Sequence, residues 1–167
     1  MGPSDSAEKT VEYKQFVVFF AGDHVFGVNI HQTREIITRS ELTFMPDTPD
    51  FVSGVINLRG EIVPVIDLEK RLSLQKQLNQ DEDEKKEQKI IIAEVKSNLI
   101  GIKVNDVREI IRIEKSEIEN PPEITRNINR DFVTGVGKME EELIIFLNLS
   151  KILTPGEVEE LEDFDLE

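Results

Sequence analysis

The sequence predicts a mostly β protein in which one small unit of short strands is used twice. Three observations lead to this prediction: alternating apolar residues in runs of strand length, turn signals between the runs, and an internal repeat. The tetrapeptide REII occurs at 34–37 and again at 108–111. The residues before it agree as well, because VFGVNIHQTREII aligns with LIGIKVNDVREII without a gap. The matched glycine and the matched apolar positions argue against a chance likeness between two strands.

A second block repeats in the same order. FVSGV (51–55) returns as FVTGV (132–136), and IVPVIDLEK (62–70) aligns with LIIFLNLSK (143–151). The offset between the copies is 74 residues in the first block and 81 in the second, so the second copy is longer in its middle. Two ordered blocks indicate duplication rather than shared composition.

Turn residues separate the expected elements of the first copy. YKQFVVFFA and HVFGVNI flank Gly22-Asp23 and predict a hairpin over 13–30. HQTREII, which follows, favours a short helix or an irregular strand. PDFVSG predicts a helical turn with Pro49 at its first position and Gly54 at its end.

A second hairpin is expected over 55–68, because two apolar runs flank Arg59-Gly60 and a two-residue turn that ends in Gly suits a hairpin. Pro64 cannot donate a ladder hydrogen bond, so it marks a sheet edge or a bulge. In the second copy KIIIAEV, LIGIKV and REIIRI predict strands, and FVTGVGKMEEELIIFLNL mirrors the hairpin of the first. Together these elements indicate two small barrels or sandwiches packed against each other, with a few short helices.

The chain is therefore divided as follows: a disordered lead (1–14), a first copy (about 15–72), a charged mobile loop (73–89), a second copy (about 90–153) and an acidic tail (154–167). The loop is too polar to bury the apolar area that ordering requires, and the acidic tail is interpreted as a solvating end. The leucines and the valine of the tail could form one short amphipathic turn that docks elsewhere.

Composition excludes several classes of function. The 167 residues include no cysteine, so disulfides, thiol catalysis and cysteine-metal sites are excluded. The absence of cysteine is consistent with a reducing compartment. No apolar run approaches the ~20 residues of a membrane span, and the N-terminus lacks the apolar core of a signal peptide. A net charge of −14 disfavours nucleic acids and anionic membrane surfaces as partners.

The chain carries no enzyme motif: no GxGxxG, no phosphate loop and no GxSxG elbow. His24 and His31 lack a metal-binding pattern, and the acidic run at 81–86 lacks the glycine of an EF-hand. Glu35 and Glu109 resemble an acid–base pair only superficially, because they are equivalent positions of the two copies. We therefore expect no catalytic residue, no metal and no cofactor.

The informative feature is an asymmetry between the copies. NLRGE (57–61) in the first becomes KMEEE (138–142) in the second, so the turn was rewritten while the apolar positions were kept. Arg59 is the one long cation of the first turn, and its guanidinium could donate a fork of hydrogen bonds to a partner, although a solvated turn arginine is an equal alternative. Thr33 likewise becomes Val107, which could be core or exposed.

Three stretches resemble the CheW-type chemotaxis coupling proteins: GVNIHQTREII, PDFVSGVINLRGEIVPVIDL and FVTGVGKMEEELIIFLNLSKIL. The resemblance covers about 15–153. It implies a cytoplasmic, non-catalytic adaptor with two SH3-like five-stranded β-barrel subdomains packed around a shared hydrophobic core. It also implies two partners, the tip of chemoreceptor helical hairpins and the regulatory domain of the chemotaxis histidine kinase.

The resemblance assigns receptor contact to the first copy and to the groove between the copies. The residues implied are Ile30, Thr33, Glu35, Gly54, Asn57, Arg59 and Val107. Kinase contact is implied at the exposed strand ends, near Gly101 and Gly135, for which turn geometry is the alternative reason.

Other classes remain as alternatives. The chain could be a CheW-like regulatory module of a larger signalling protein, which neighbouring domains in the full gene would reveal. An oligonucleotide-binding barrel requires basic grooves and stacking aromatics, whereas this chain has 6% aromatic residues and no Trp. A small hydrolase lacks any nucleophile and base arrangement here.

Overall fold

The computed structural model describes residues 11–38, 42–74, 88–121 and 130–153. Ten strands fill most of these ranges. They are β1 (Tyr13–Ala21), β2 (His24–Asn29), β3 (Thr33–Ile37), β4 (Val52–Leu58), β5 (Glu61–Asp67), β6 (Lys89–Val95), β7 (Asn98–Val104), β8 (Asp106–Glu114), β9 (Val133–Met139) and β10 (Glu142–Leu147). The predicted hairpins are therefore confirmed in both copies.

Helices are few and short, as expected. One α-helical turn, α1 (Leu68–Arg71), follows β5, and the Asp67 side chain caps it by accepting from the Lys70 backbone N–H at 3.3 Å. The other helical segments of the described ranges are 3₁₀ turns at Ile30–Gln32, Lys115–Glu117, Arg130–Phe132 and Leu149–Lys151. HQTREII thus combines the two predicted alternatives, a helical turn and then a strand.

The strands form two five-stranded sheets. Sheet A has the order β8-β1-β2-β10-β9, and sheet B has the order β3-β6-β7-β5-β4. The orders are identical when β1–β5 of the first copy are matched with β6–β10 of the second. Each sheet nevertheless contains strands from both copies, two from one and three from the other. A sequence copy and a sheet are therefore different units.

The strands separate three apolar cores by their two-residue period. In β1, Phe16 and Val18 point into a core enclosed by sheet A, whereas Val17 and Phe19 point into a larger core shared by the two sheets. In β6, residues 90 and 92 likewise enter a core enclosed by sheet B, and 91 and 93 enter the shared core. This arrangement confirms two curled sheets packed around a common hydrophobic interior.

Arg71 joins the copies beside the shared core. Its guanidinium lies 4.5 Å from the ring centroid of Phe51 and 5.1 Å from that of Phe132. These two aromatic residues are equivalent positions of the repeat. Arg71 Nε also donates to the carbonyl of Ile152 at 2.6 Å. One cation therefore holds both copies by stacking and by a charge-assisted hydrogen bond.

Gly54 does not end a helical turn, so that prediction is wrong. The PDFVSG segment makes a turn closed by the Val52 N–H donating to the Pro49 carbonyl at 3.0 Å, and Gly54 lies inside β4. The ladder shifts register between Val52 and Gly54, which has a φ of +152°. A glycine is needed there because an added Cβ would lie 2.6 Å from the carbonyl oxygen of Thr43, which bridges β4 from outside.

Pro64 is neither on an edge strand nor at a bulge. It pairs with Val55 inside β5, and β5 lies between β4 and β7. The pairing of β5 with β7 begins at Val65, one residue later, so Pro64 precedes this second ladder. The predicted segments also differ in extent: β1 begins within the expected lead, and Leu74, from the expected loop, packs against the shared core. Most of 1–14, most of 73–89 and all of 154–167 lie outside the described residues.

Gly101→Ala is expected to lower the free energy of unfolding by about 1–3 kcal/mol, because an added methyl overfills a packed core. The new Cβ would lie 2.9 Å from Ile90 Cγ2 and 3.1 Å from Val65 Cγ2. Gly54→Ala should cost more, since its obstacle is a backbone carbonyl that cannot rotate away. Urea denaturation measures both, with Lys138→Ala on the exposed face of β9 as the control. Wild-type stability of Gly101→Ala would show that this core has spare room.

Candidate protein-interaction site

The β4–β5 hairpin presents a sharp, exposed turn. Arg59 and Gly60 have φ values of +50° and +90°, which fits a two-residue hairpin turn with both residues left-handed. Asn57 Oδ1 accepts from the Gly60 backbone N–H at 2.9 Å. Asn57 therefore has a structural role, which is to hold the turn that displays Arg59.

Arg59 forms a fork with Glu35. Its two terminal nitrogens donate to the two Glu35 carboxylate oxygens at 2.7 and 2.9 Å. These hydrogen bonds, and then the attraction to the carboxylate charge, raise the pKa of Arg59. The guanidinium fork, for which a partner and a solvated turn were equal alternatives, is thus already engaged within the chain. Its side chain is still 75% exposed, and that of Glu35 is 28% exposed.

The fork also explains how sheet B curls. Glu35 lies on β3 and Arg59 on the turn after β4, and these two strands are at opposite ends of the sheet order. A contact between them requires the sheet to bend until its ends meet. Because the pair is largely solvent-exposed, its effect on stability is small. We infer that it mainly fixes the shape of the surface.

A groove of about 810 Å³ opens beside the fork. Arg34, on β3, pairs with Glu94 of β6 along its wall. Apolar residues line the groove between the charged groups; they are Leu58, Ile62, Pro64 and Leu99, with Leu153 at the end of the described chain. Charged pairs around an apolar floor suit a protein partner better than a catalytic reaction.

The other residues implied for receptor contact are distributed around this region. Ile30 and Val107 are half-buried against the shared core. Thr33 is half-buried, and its hydroxyl donates to the Asn29 carbonyl at 3.3 Å. Gly54 is buried, so it offers no side-chain surface. The structure thus brings Glu35, Asn57 and Arg59 together, while Gly54 lies within β4 and Val107 lies on β8 of the other sheet.

Gly101 and Gly135 both lie inside strands and are buried, so turn geometry is not the reason for either. Gly101 faces the enclosed core of sheet B. A Cβ on Gly135 would lie 2.7 Å from Ile118 Cγ2 and 2.9 Å from the Glu119 carbonyl oxygen. Close packing accounts for each glycine. Their part in kinase contact stays a prediction.

Sheet A carries an ion pair in a comparable place, but at other positions of the repeat, because Arg108 and Glu142 correspond to Arg34 and Glu61. Here the base, Arg108, is on the edge strand β8, and the acid, Glu142, follows the β9–β10 turn. The hydrogen bond to Glu142 is the main reason that the pKa of Arg108 is raised. Glu109 pairs with Arg108 as well, at 2.9 Å. Glu35 and Glu109 are equivalent positions of the repeat, and each forms an ion pair with an arginine.

Four exposed apolar side chains could not be recognised from the sequence alone. Ile36 and Ile62 on sheet B are 40% and 41% exposed, and Ile110 and Leu143 on sheet A are 55% and 38% exposed. These are equivalent pairs under the repeat. A partial signal was present, since each residue occupies a strand position whose counterpart in the other copy is also a large aliphatic residue.

Within the described ranges no His, Asp and Glu side chains gather in a group that could hold a metal ion. The helical segments of those ranges are also too short or too polar to span a membrane.

Comparison with known proteins gives consistent matches. The CheW-like domain model matches residues 15–157. The chemotaxis protein CheW of Klebsiella aerogenes is 30% identical over 145 residues, which cover 87% of this chain and 84% of the relative. The crystal structure of the scaffolding protein TtCheW from Thermoanaerobacter tengcongensis superposes with a TM-score of 0.75 and 36% identity, covering 84% of this chain and 92% of that one.

A longer relative contains the same unit. The chemotaxis protein CheV3 of Helicobacter pylori is 30% identical over 131 residues, which cover 77% of this chain and 41% of CheV3. The module therefore occurs both at nearly full length and within a larger protein. These matches confirm the resemblance drawn from the three sequence stretches.

Arg59→Gly is expected to leave the thermal midpoint unchanged or higher. Glycine adopts a φ of +50° without strain, and the exposed fork that is lost contributes little. Glu140→Gly is the matched control, because Glu140 is the equivalent turn residue with a φ of +57° and has no such fork. Calorimetry of both variants separates relief of strain from loss of the fork. A clear fall for Arg59→Gly alone would show that the fork carries stability.

Proposed function

The chain belongs to the CheW family, and we propose that it is a non-catalytic adaptor that couples chemoreceptors to the regulatory domain of the chemotaxis histidine kinase. The observation that supports this proposal most is the exposed Glu35–Arg59 fork beside a groove with an apolar floor. Such a surface accepts a helix by burying an apolar stripe while the arginine addresses polar groups at its rim.

Receptor contact is proposed at this surface. Arg59 and Glu35 provide exposed polar groups in a fixed arrangement, and Asn57 and Gly54 hold the strand and turn beneath them. Thr33, with Ile30 and Val107, extends the surface toward the junction of the two sheets. Because the fork is preorganised, little side-chain entropy is lost when a partner binds.

Kinase contact is proposed on sheet A. Ile110 and Leu143 are exposed apolar residues near the Arg108–Glu142 pair, at the position equivalent to the receptor surface of sheet B. One fold then offers two comparable surfaces whose charge arrangement differs, as an adaptor between two different partners requires. In this proposal Gly101 and Gly135 act indirectly, by allowing the close strand packing that shapes the two sheets.

The cellular setting follows from these partners. The adaptor is proposed to be cytoplasmic and to join receptor arrays by binding proteins rather than by entering the membrane. The second candidate is a CheW-like module of a larger signalling protein, which the match to part of CheV3 favours. Receiver or kinase domains encoded in the same gene would identify that case.

Arg59→Glu is expected to weaken receptor binding about ten-fold or more, since a central arginine is often a dominant contact and the new carboxylate would repel Glu35. Kinase binding should stay near normal. Calorimetric titration with a soluble receptor-tip hairpin, and separately with the kinase regulatory domain, measures both affinities. Glu140→Lys, a charge reversal at the equivalent turn of sheet A, is the control. Unchanged receptor affinity of a folded Arg59→Glu would remove Arg59 from the contact.

Ile110→Glu is expected to weaken kinase binding about ten-fold or more, because a charge would enter the dry centre of the proposed contact. The same titrations measure it, and receptor affinity should not change. Val11→Glu, at another exposed apolar residue before β1, is the control. Normal kinase affinity in Ile110→Glu would place the kinase on a different surface.

A further inference from the structure

Phe44 has the most exposed large apolar side chain of the described residues, at 75%. Leu42, two positions earlier, is 38% exposed. Residues two apart in an extended segment point to the same side, so these side chains share a face. An aromatic and an aliphatic residue side by side on a highly charged surface indicate an interaction site.

The backbone holds this pair in place. Thr43, between them, donates to the Val55 carbonyl at 2.8 Å and accepts from the Val55 N–H at 2.9 Å, so the segment is fixed to β4. Gly54 permits the approach, because its missing Cβ leaves space for the Thr43 carbonyl and the Phe44 Cα. Thr48 Oγ1 also donates to the Met45 carbonyl at 3.0 Å, which fixes the turn that follows. Phe44 is therefore presented by an ordered segment.

The second copy has the same scaffold without the aromatic residue. Glu119 bridges Val136 with two hydrogen bonds of 2.8 Å, and Gly135 allows that approach. The position equivalent to Phe44 is occupied by Asn120. The fold thus does not require an apolar residue there. Ile118, equivalent to Leu42, packs against the enclosed core of sheet A instead of facing solvent.

Acidic groups follow Phe44. Asp47 and Asp50 are exposed in the loop that leads into β4. They lie within a chain of net charge −14, so a partner that covers Phe44 is favoured when basic groups flank its apolar contact. Continuity adds to this argument, since Phe44 abuts Gly54 at the start of the strand that ends at the Arg59 turn.

We propose that Leu42 and Phe44 form an apolar anchor for an α-helix of the receptor whose apolar stripe is edged by Lys or Arg. This inference rests on the proposed function and adds a determinant of receptor choice to it. Phe44 packs against the apolar stripe of this helix, and the carboxylates of Asp47 and Asp50 pair with the Lys or Arg side chains beside it. Receptors that lack basic residues beside the stripe then bind less tightly.

The test is calorimetric titration of a soluble receptor-tip hairpin with the wild type and with Phe44→Asn, which installs the residue of the second copy. We expect about ten-fold weaker binding or more, because a central aromatic anchor is lost. Phe44→Leu should restore part of the affinity. Val11→Asn, which removes an exposed apolar residue elsewhere, should bind as the wild type does. Kinase titrations of Phe44→Asn should be normal, which shows that the variant is folded.

The acidic part of the proposal has its own measurement. Wild-type receptor affinity should fall as NaCl is raised, and Asp47→Asn combined with Asp50→Asn should flatten that dependence. A salt response unchanged in the double variant would overturn the basic-edged partner.

The outcomes distinguish failure of the Phe44 anchor from failure of the proposed adaptor function. Equal receptor affinity of Phe44→Asn and wild type, with Arg59→Glu still weak, overturns the anchor and leaves the adaptor proposal intact. No binding of the hairpin by the wild type overturns both. Sedimentation velocity tests whether a second copy of the chain binds at Phe44 instead. Loss of self-association in Phe44→Asn, with unchanged receptor affinity, would assign the anchor to that second copy.

Discussion

Several strands of this protein are buried on both faces, and most other features depend on this constraint. Alternate residues of β1, β6 and β10 contribute to an enclosed core on one side and to the shared core on the other. A shift of one residue in any of these strands would exchange two cores at once. Glycine is required where the packing leaves no room for a Cβ atom. At Gly27, for example, an added Cβ would lie 2.8 Å from the ring of Phe146. The strand register, the curvature of the sheets and the positions of the glycines thus all follow from burying strands on both faces, once in each sheet.

The positions of the strands could be predicted from the sequence, because period-two alternation and turn residues are local signals. The Arg59-Gly60 hairpin and the hairpin around Gly22-Asp23 were predicted for that reason. The exchange of strands between the copies was not, since alternation specifies that a residue is buried but not which neighbouring strand covers it. Gly54 illustrates the same limit: its partner is the carbonyl of Thr43, and nothing local in PDFVSG reveals a contact from outside the strand.

For the site, the sequence identified Arg59 from an asymmetry between copies, and it also singled out Glu35. It did not pair them, because the two residues are 24 positions apart and meet only once the sheet has curled. The exposed residues Ile110 and Leu143 were missed for a related reason. Their alternation resembles that of core residues, and exposure is decided by where the sheet ends.

The duplicated architecture separates fold from recognition. Positions that pack, such as Phe51 and Phe132 on either side of Arg71, are the same in both copies. Two solvent-facing positions have diverged: Arg59 corresponds to Glu140, and Phe44 corresponds to Asn120. Each sheet has an ion pair between an outer strand and a hairpin, Glu35–Arg59 in sheet B and Arg108–Glu142 in sheet A, but the two pairs use different positions of the repeat and so give each sheet a different external charge pattern. A duplicated fold can in this way serve two partners.

The strand exchange also determines what a break in the chain would do. A break between α1 and β6 would separate the copies in sequence, yet neither fragment would contain a complete sheet, because β1 and β2 need β8–β10 and β6 and β7 need β3–β5. Each fragment would expose the apolar faces that its counterpart covers, and the two would have to fold together or not at all. In this respect the two copies resemble the subunits of a domain-swapped dimer, because each completes the sheet of the other. Here the two subunits are joined covalently in one chain.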